Sequence, residues 1–189
     1  DRLAQVMSQI KILAGVLFKI SNDIKILSSG PRSGIYELII PQNEPGSSIM
    51  PGKVNPTQCE ALSMVCTQIM GLEYAVSMAN SSGTLQMNEY KPLIGFNILT
   101  SLKLLKNVIV NFRINLVDGM EPNQKKMKLN LENSLMLVTA IVPKVGYEKA
   151  AEIANLAFKE SLNLKEATLK LGYLNEDEFD EAMNINSMI

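Results

Sequence analysis

A chain of 189 residues can hold one or two domains, and its 47% hydrophobic residues are enough to build a sizeable core. The net charge of −1 gives no electrostatic reason to expect nucleic acid or an acidic membrane as a partner. The sequence contains no histidine, which excludes Ser-His-Asp and Cys-His catalysis within this chain. No uninterrupted apolar run reaches the roughly 18 residues of a membrane span, so no membrane association is expected.

The first two-thirds of the chain predict three long helices. Apolar residues recur at helical spacing over residues 3–28, 56–79 and 92–117. Residues 35–40 are extended in character but too short to imply a sheet, and residues 41–55 are predicted as loop. Helices this long, separated by short breaks, are typical of an elongated bundle, so we predict an all-α fold.

Shorter helices are predicted beyond the break at residues 118–122. Local capping signals support two of them, since Asn163 with Glu166 and Asn175 with Glu178 form capping-box patterns, and Gly172 suits a C-cap. The change in helix length predicts a boundary between a helical-bundle segment at 1–119 and a small helical domain at 120–189. The expected helices of that domain are residues 123–132, 134–142, 147–161, 164–171 and 176–184.

One stretch combines a loop with a helix start. We call residues 46–55 the signature loop, because they carry hydroxyl, ammonium and amide groups up to the predicted second helix. Asn55 is placed as its N-cap, Pro56 as its first residue and Gln58 as the capping-box partner. A helix N-terminus near Lys53 would suit a carboxylate or phosphate. The alternative is an ordinary capped helix with a solvated lysine.

The motif in this stretch resembles a known family. The pattern Gly-Ser-Ser-x-Met-Pro-x-Lys-x-Asn at 46–55, continuing into Pro-Thr-Gln-Cys-Glu at 56–60, is similar to the C-terminal signature of the fumarase/aspartase superfamily. Gly52 and the run at 56–61 resemble class II fumarate hydratases rather than aspartases. Further fumarase-like segments lie at residues 29–32, 41–45, 133–139 and 146–151, so the resemblance covers nearly the whole chain.

The resemblance implies a site and a reaction. Ser47 would be the base that removes the C3 proton of malate, and Glu60 would pair with a histidine from an upstream region. The expected substrate-binding residues are Ser48, Lys53, Val54 and Asn55. For Ser47, Ser48 and Glu60 the alternatives are a loop hydroxyl, a turn-stabilising hydroxyl and an acid that complements the helix dipole. The implied reaction is reversible hydration of fumarate to (S)-malate through an aci-carboxylate, without metal or organic cofactor.

The resemblance also implies partners and a setting. Members form homotetramers whose active sites are shared between subunits, and the expected partner is a small dicarboxylate. The missing histidine and the start at Asp1 suggest a C-terminal segment that is inactive on its own. Aspartate ammonia-lyase or another superfamily member is the alternative enzyme, and a helical oligomerisation segment is the alternative from another class. The expected location is the cytoplasm, with the mitochondrial matrix as the alternative.

Two further expectations concern residues outside the motif. Cys59 and Cys66 lie about 10 Å apart along one predicted helix, too far for a disulfide, so reduced core or interface thiols are expected. Glu73, Glu89 and Lys91 have no motif support and are assigned to solvated or interface faces.

Overall fold

The structure, a computed structural model, describes residues 1–46 and 49–183. Two short strands, β1 (Leu38–Ile39) and β2 (Glu121–Pro122), and two 3₁₀ turns accompany the helices in these residues. The predicted all-α fold is therefore confirmed. The helices are α1 (Arg2–Leu27), α2 (Thr57–Ser81), α3 (Lys91–Asn115), α4 (Gln124–Glu132), α5 (Val142–Val145), α6 (Tyr147–Glu160), α7 (Leu164–Leu171) and α8 (Glu176–Ala182).

The chain divides into two compact units, Asp1–Asn123 and Gln124–Ile189. The sequence predicts a boundary between residues 119 and 120. The later division has a structural reason, because β2 pairs antiparallel with β1, with Leu38 opposite Pro122 and Ile39 opposite Glu121. This pairing keeps residues 121–122 in the first unit and ties down the segment that leads into the signature loop.

In the first unit, α2 packs against both α1 and α3. Its buried positions follow three- and four-residue steps, which place them on one helical face. The opposite face of α2 is exposed in this single chain. The fully buried core side chains of this unit include Met7, Leu62, Cys66, Ile69, Val76 and Leu116.

The second unit has its own apolar core, formed by α6 and α7 with contributions from Ile141 and Phe179. Both predicted capping boxes are confirmed. The Asn163 side chain accepts from the Glu166 N–H at 2.8 Å, and the equivalent bond from Glu178 to Asn175 measures 2.9 Å. The predicted C-cap is also confirmed, since Gly172 has the left-handed φ of 69°.

The predicted helix at 134–142 is wrong. The structure has a 3₁₀ turn at Leu135–Ala140, followed by the one-turn helix α5 with Pro143 in its first positions. Proline has no N–H and its ring clashes with the carbonyl four residues earlier, so no continuous α-helix can join the preceding residues to α5. Proline at the start of α5 meets no such conflict.

Two stretches within the described residues, Arg2–Leu27 and Lys91–Gly119, are long and apolar enough to cross a membrane by length and composition alone. Both contribute buried residues to the core around α2, and core helices of this length have the same composition. The expectation that the chain has no membrane partner therefore stays a prediction.

Candidate functional site

The signature loop is closed at its base by contact between its two arms. A Cβ built on Gly46 would lie 1.6 Å from the Lys53 carbonyl oxygen and 2.4 Å from the Lys53 carbonyl carbon. Only a residue without a side chain can approach another backbone this closely. Residues 46 and 53 are thus in direct contact at the base of the loop.

Two further backbone features shape the second arm. The Lys53 N–H donates to the Met50 carbonyl at 3.3 Å, forming a turn, and Gly52 adopts a positive φ of 76° within it. Glycine tolerates this left-handed conformation without a Cβ penalty. The turn presents Lys53 to solvent, and the Lys53 ammonium has no ion-pair partner in the part of the chain that the structure describes.

Asn55 closes the loop rather than capping the helix. Its side-chain Nδ2 donates to the Gly46 carbonyl, so the amide bridges the two arms next to the Gly46–Lys53 contact. Pro56 occupies the N-cap position, and α2 begins at Thr57 without a side-chain cap bond. The predicted N-cap at Asn55, the start at Pro56 and the capping box with Gln58 are therefore wrong. Both amides have tertiary partners instead, since Gln58 Oε1 accepts a hydrogen bond from Asn111.

The start of α2 is consequently a favourable place for an anion. The first N–H groups of a helix lack intrahelical partners, and the helix dipole adds partial positive charge there. Lys53 and Asn55 both contact Gly46 close to the N-terminus of α2. The Asn55 side-chain amide has two N–H donors and uses one of them on the Gly46 carbonyl. Such an arrangement can bind a carboxylate.

The remaining predicted site residues are placed as follows. Ser47 and Ser48 lie outside the described residues. Val54, which lies between Lys53 and Asn55 in the sequence, is 43% exposed. Glu60 lies in the first turn of α2, where its N–H donates to the Pro56 carbonyl at 3.1 Å, and its side chain is exposed. The structure therefore brings Lys53 and Asn55 together at Gly46, and it gives no contact between them and Glu60.

Behind the loop, α2 is fixed to α1 by buried polar contacts. The Ser21 hydroxyl donates to the Cys59 carbonyl at 2.7 Å and lies 2.9 Å from the Ser63 hydroxyl. Both cysteines are free and buried, as predicted, and burial raises the pKa of each thiol. The first turns of α2 are thus held on the rest of the first unit.

A second polar cluster corrects the placement of Glu73. The sequence assigned Glu73 to a solvated or interface face, but its side chain is only 10% exposed and lies 2.9 Å from the Lys11 ammonium. Ser77 donates to the same carboxylate at 2.9 Å, and Ser8 donates at 3.4 Å. The hydrogen bond from Lys11 holds the pKa of Glu73 below its ordinary value of 4.5.

Sequence reasoning missed a set of connected amides around the loop, which we call the amide chain. Asn43 Nδ2 donates to the Asn115 carbonyl at 2.7 Å, and Asn115 Nδ2 donates to Asn111 Oδ1 at 2.7 Å. Asn111 in turn donates to Gln58. The four-residue spacing of Asn111 and Asn115 near a predicted helix end was the available signal, but their partners are distant in sequence.

The described residues contain no group of three or more histidine, cysteine, aspartate or glutamate side chains that could hold a metal ion. Near the loop base, the Asn55 amide and the first N–H groups of α2 are hydrogen-bond donors, and exposed Lys53 adds a positive charge. Such donors suit an anionic ligand.

Two family models match the chain. The model described as Lyase matches residues 1–71, and the model described as Fumarase C C-terminus matches residues 137–189. The first match contains the whole signature loop and the start of α2.

Similar proteins carry related names. The chain is 82% identical over its full length to a class II fumarate hydratase from Prochlorococcus marinus subsp. pastoris, of which it covers 41%. The class II fumarase of Schistosoma mansoni shares 43% identity, with a TM-score of 0.89 over 96% of this chain and 38% of that one. The fumarate lyase:delta crystallin of Brucella melitensis, solved bound to cobalt, shares 41% identity with a TM-score of 0.93 over 98% and 40%.

The chain therefore spans about two-fifths of the length of the relatives it matches. The matched ranges include the signature loop and residues of both units. We conclude that the chain belongs to the class II fumarate hydratase family of lyases.

Proposed function

We propose that this chain supplies the carboxylate-binding loop of an enzyme that reversibly hydrates fumarate to (S)-malate. The observation that carries the proposal is the closed loop base, where Lys53 and Asn55 meet Gly46 beside the N-terminus of α2. Family membership supplies the substrate class, a small dicarboxylate. Charged and helix-end donors fixed around one loop can stabilise negative charge that grows on a carboxylate during a reaction.

In the proposed reaction, Ser47 acts as the base. Its alkoxide form, favoured by Lys53 and neighbouring N–H groups, removes the C3 proton of malate. The electron pair of the broken C–H bond enters the adjacent carboxylate, giving an aci-carboxylate dianion. As that charge collapses, the C2–O bond breaks, and the hydroxyl takes a proton to leave as water with fumarate remaining.

The other site residues have supporting roles. Ser48, Val54 and Asn55 contribute donors and backbone contacts to the substrate carboxylate, and Lys53 adds the charge. Glu60 pairs with a histidine from a region outside this chain, which handles the departing water. The donors must bind the dianion more strongly than ground-state malate, because only that difference accelerates the reaction. The proposed reaction uses no metal or organic cofactor.

We also propose that the active enzyme is a homotetramer with sites shared between subunits. Large apolar side chains stand exposed on the three long helices, and such faces typically mark interaction sites. The segment alone is then inactive, because it lacks the histidine. The exposed side chains that support the tetramer include Met64, Tyr74, Phe96 and Leu99, each 66% to 68% exposed in the single chain.

The proposed location is the cytoplasm, with no membrane or nucleic-acid partner.

The function is tested in a full-length chimera, in which this chain replaces the matching 41% of the relative that is 82% identical to it. Fumarate absorbance is followed with malate and, separately, with aspartate as substrate. Turnover of malate alone supports the proposal, and turnover of aspartate alone would favour an aspartate ammonia-lyase. A stable tetramer that acts on neither would favour an oligomerisation segment.

The base is tested by Ser47→Ala in the same chimera. Loss of proton abstraction should slow the chemical step by about 10²–10⁴-fold, while substrate binding changes far less. Lys53→Ala should both weaken malate binding and slow the reaction, because its charge acts in the ground state and the transition state. Exchange of the malate C3 proton with solvent deuterium isolates the first step. If Ser47→Ala exchanges at the wild-type rate, Ser47 is not the base.

A further inference from the structure

The amide chain connects both flanks of the signature loop to one helix end. Asn43 lies before the loop and Gln58 lies after it, in the first turn of α2. Both reach α3, through the Asn115 carbonyl and the Asn111 side chain respectively. Asn115 and Asn111 are joined to each other by two bonds, from Asn115 Nδ2 to Oδ1 at 2.7 Å and to the carbonyl at 3.2 Å of Asn111.

The connection uses groups that have few local alternatives. Asn115 is the last residue of α3, and the last carbonyls of a helix have no intrahelical donor. Asn43 satisfies one of them. Asn43 donates to Asn115, Asn115 donates to Asn111, and Asn111 donates to Gln58, which accepts. Asn111 is therefore the joint on which the path to Gln58 depends. Breaking that joint removes the side-chain link between the α2 flank of the loop and the end of α3, while the packing of α2 on its neighbours remains.

We propose that Asn43, Gln58, Asn111 and Asn115 are positioning residues that hold the signature loop in the arrangement that accepts substrate. This inference rests on the proposed function, and it concerns residues outside the predicted site. None of the four is required to touch substrate. They act through Gly46, Lys53 and Asn55, whose mutual contacts lie between the two anchored flanks.

The expected size of the effect follows from the strength of one hydrogen bond. A net hydrogen bond corresponds to about a tenfold change in an equilibrium constant. Loss of the Asn111–Gln58 bond should therefore lower the fraction of enzyme with a competent loop by up to about tenfold. Apparent substrate affinity falls by that fraction, whereas saturating substrate draws the population back. KM should rise about three- to tenfold and kcat should change less than about twofold.

The chain offers sharp variants for this test. Asn111→Leu removes the joint. Asn111→Asp should preserve it, because the Gln58 amide can turn its Nε2 toward the new carboxylate and Asn115 can still donate to it. Asn107→Leu is the matched control, since Asn107 is an exposed asparagine one turn earlier on α3 without a side-chain hydrogen bond in the described residues.

The first measurement is hydrogen exchange of loop peptides from residues 41–55 in the full-length chimera, read by mass spectrometry. Asn111→Leu should speed exchange in these peptides, whereas Asn111→Asp and Asn107→Leu should leave it at the wild-type rate. This readout needs no catalysis, so it decides the positioning role even if the chimera turns over neither malate nor fumarate. A chimera that turns over neither malate nor fumarate would count against the proposed function alone.

The second measurement is steady-state kinetics of the same proteins. The raised KM should appear in Asn111→Leu and return toward wild type in Asn111→Asp. Gln58→Met should reproduce the effect from the other side of the bond, and the double variant should be no worse than either single one. Gln58→Met also serves in place of Asn111→Leu if Asn111→Leu fails to fold. A lowered melting temperature with unchanged exchange and KM, or a fall in kcat at constant KM, would overturn the inference.

Discussion

The closest contact in the signature loop gives the sharpest prediction, which is that Gly46→Ala disables the enzyme. The added methyl carbon would stand 1.6 Å from the Lys53 carbonyl oxygen, and an ordinary contact requires at least 3.4 Å. The two loop arms must therefore separate by about 1.8 Å, because the obstacle is backbone that cannot rotate away. The same movement breaks the hydrogen bond from Asn55 to the Gly46 carbonyl.

A displacement of this size is large for catalysis. A misplacement of about 1 Å in a reacting group can cost about 10²-fold in rate. We expect kcat/KM of the full-length chimera to fall by at least about 10²-fold, as measured by fumarate absorbance. Circular dichroism should show unchanged helix content, because Gly46 lies outside every helix.

Gly52→Ala is the matched control within the same loop. Its φ of 76° makes an alanine strained, at a cost of about 1 kcal/mol, but a Cβ there would meet no atom within 4 Å. The control should keep activity within about tenfold of wild type. If Gly46→Ala retains activity as high as Gly52→Ala, the loop base does not need its close contact, and the geometric argument fails.

Three further predictions concern the first unit. Glu73→Gln should cost about 1–2 kcal/mol at pH 7, since it weakens a charged hydrogen bond with half-exposed Lys11. The folded pKa of Glu73 lies below 4.5, so the stability difference between wild type and Glu73→Gln should persist above pH 4.5 and shrink as pH falls through the folded pKa. Melting curves of both proteins at pH 3–7 would check this, and a stability difference that stays constant over this range would refute it. Cys59 and Cys66, both fully buried, should label with a thiol reagent only after unfolding, and rapid native labelling mapped to these positions by peptide mass spectrometry would contradict this. Ser101→Ala should stabilise the protein by up to about 1–2 kcal/mol in denaturant unfolding, because the buried Ser101 hydroxyl has no hydrogen-bond partner in the described residues; a loss above 1 kcal/mol would count against it.

Local signals in the sequence were sufficient for most of the fold. The long apolar periodicities predicted α1, α2 and α3, since helical spacing is a property of neighbouring residues. Both capping boxes in the second unit were predictable for the same reason, because the asparagine and glutamate of each lie three residues apart. The predicted helix at 134–142 is instead a 3₁₀ turn followed by the one-turn helix α5, which Pro143 separates from the preceding residues.

The candidate site depended more on tertiary structure. The motif identified the residues and the family, but it could not show that Asn55 bonds across nine positions to Gly46, or that Gln58 bonds across 53 positions to Asn111. A capping box is a strong local preference, and it lost here because distant partners satisfied both amides. Glu73 shows the same limit, since its charge is stabilised by Lys11, which lies 62 residues earlier. Sequence thus determined which groups were available, whereas the packing of α1, α2 and α3 decided which of them could meet, because hydrogen bonds and ion pairs act only over a few ångströms.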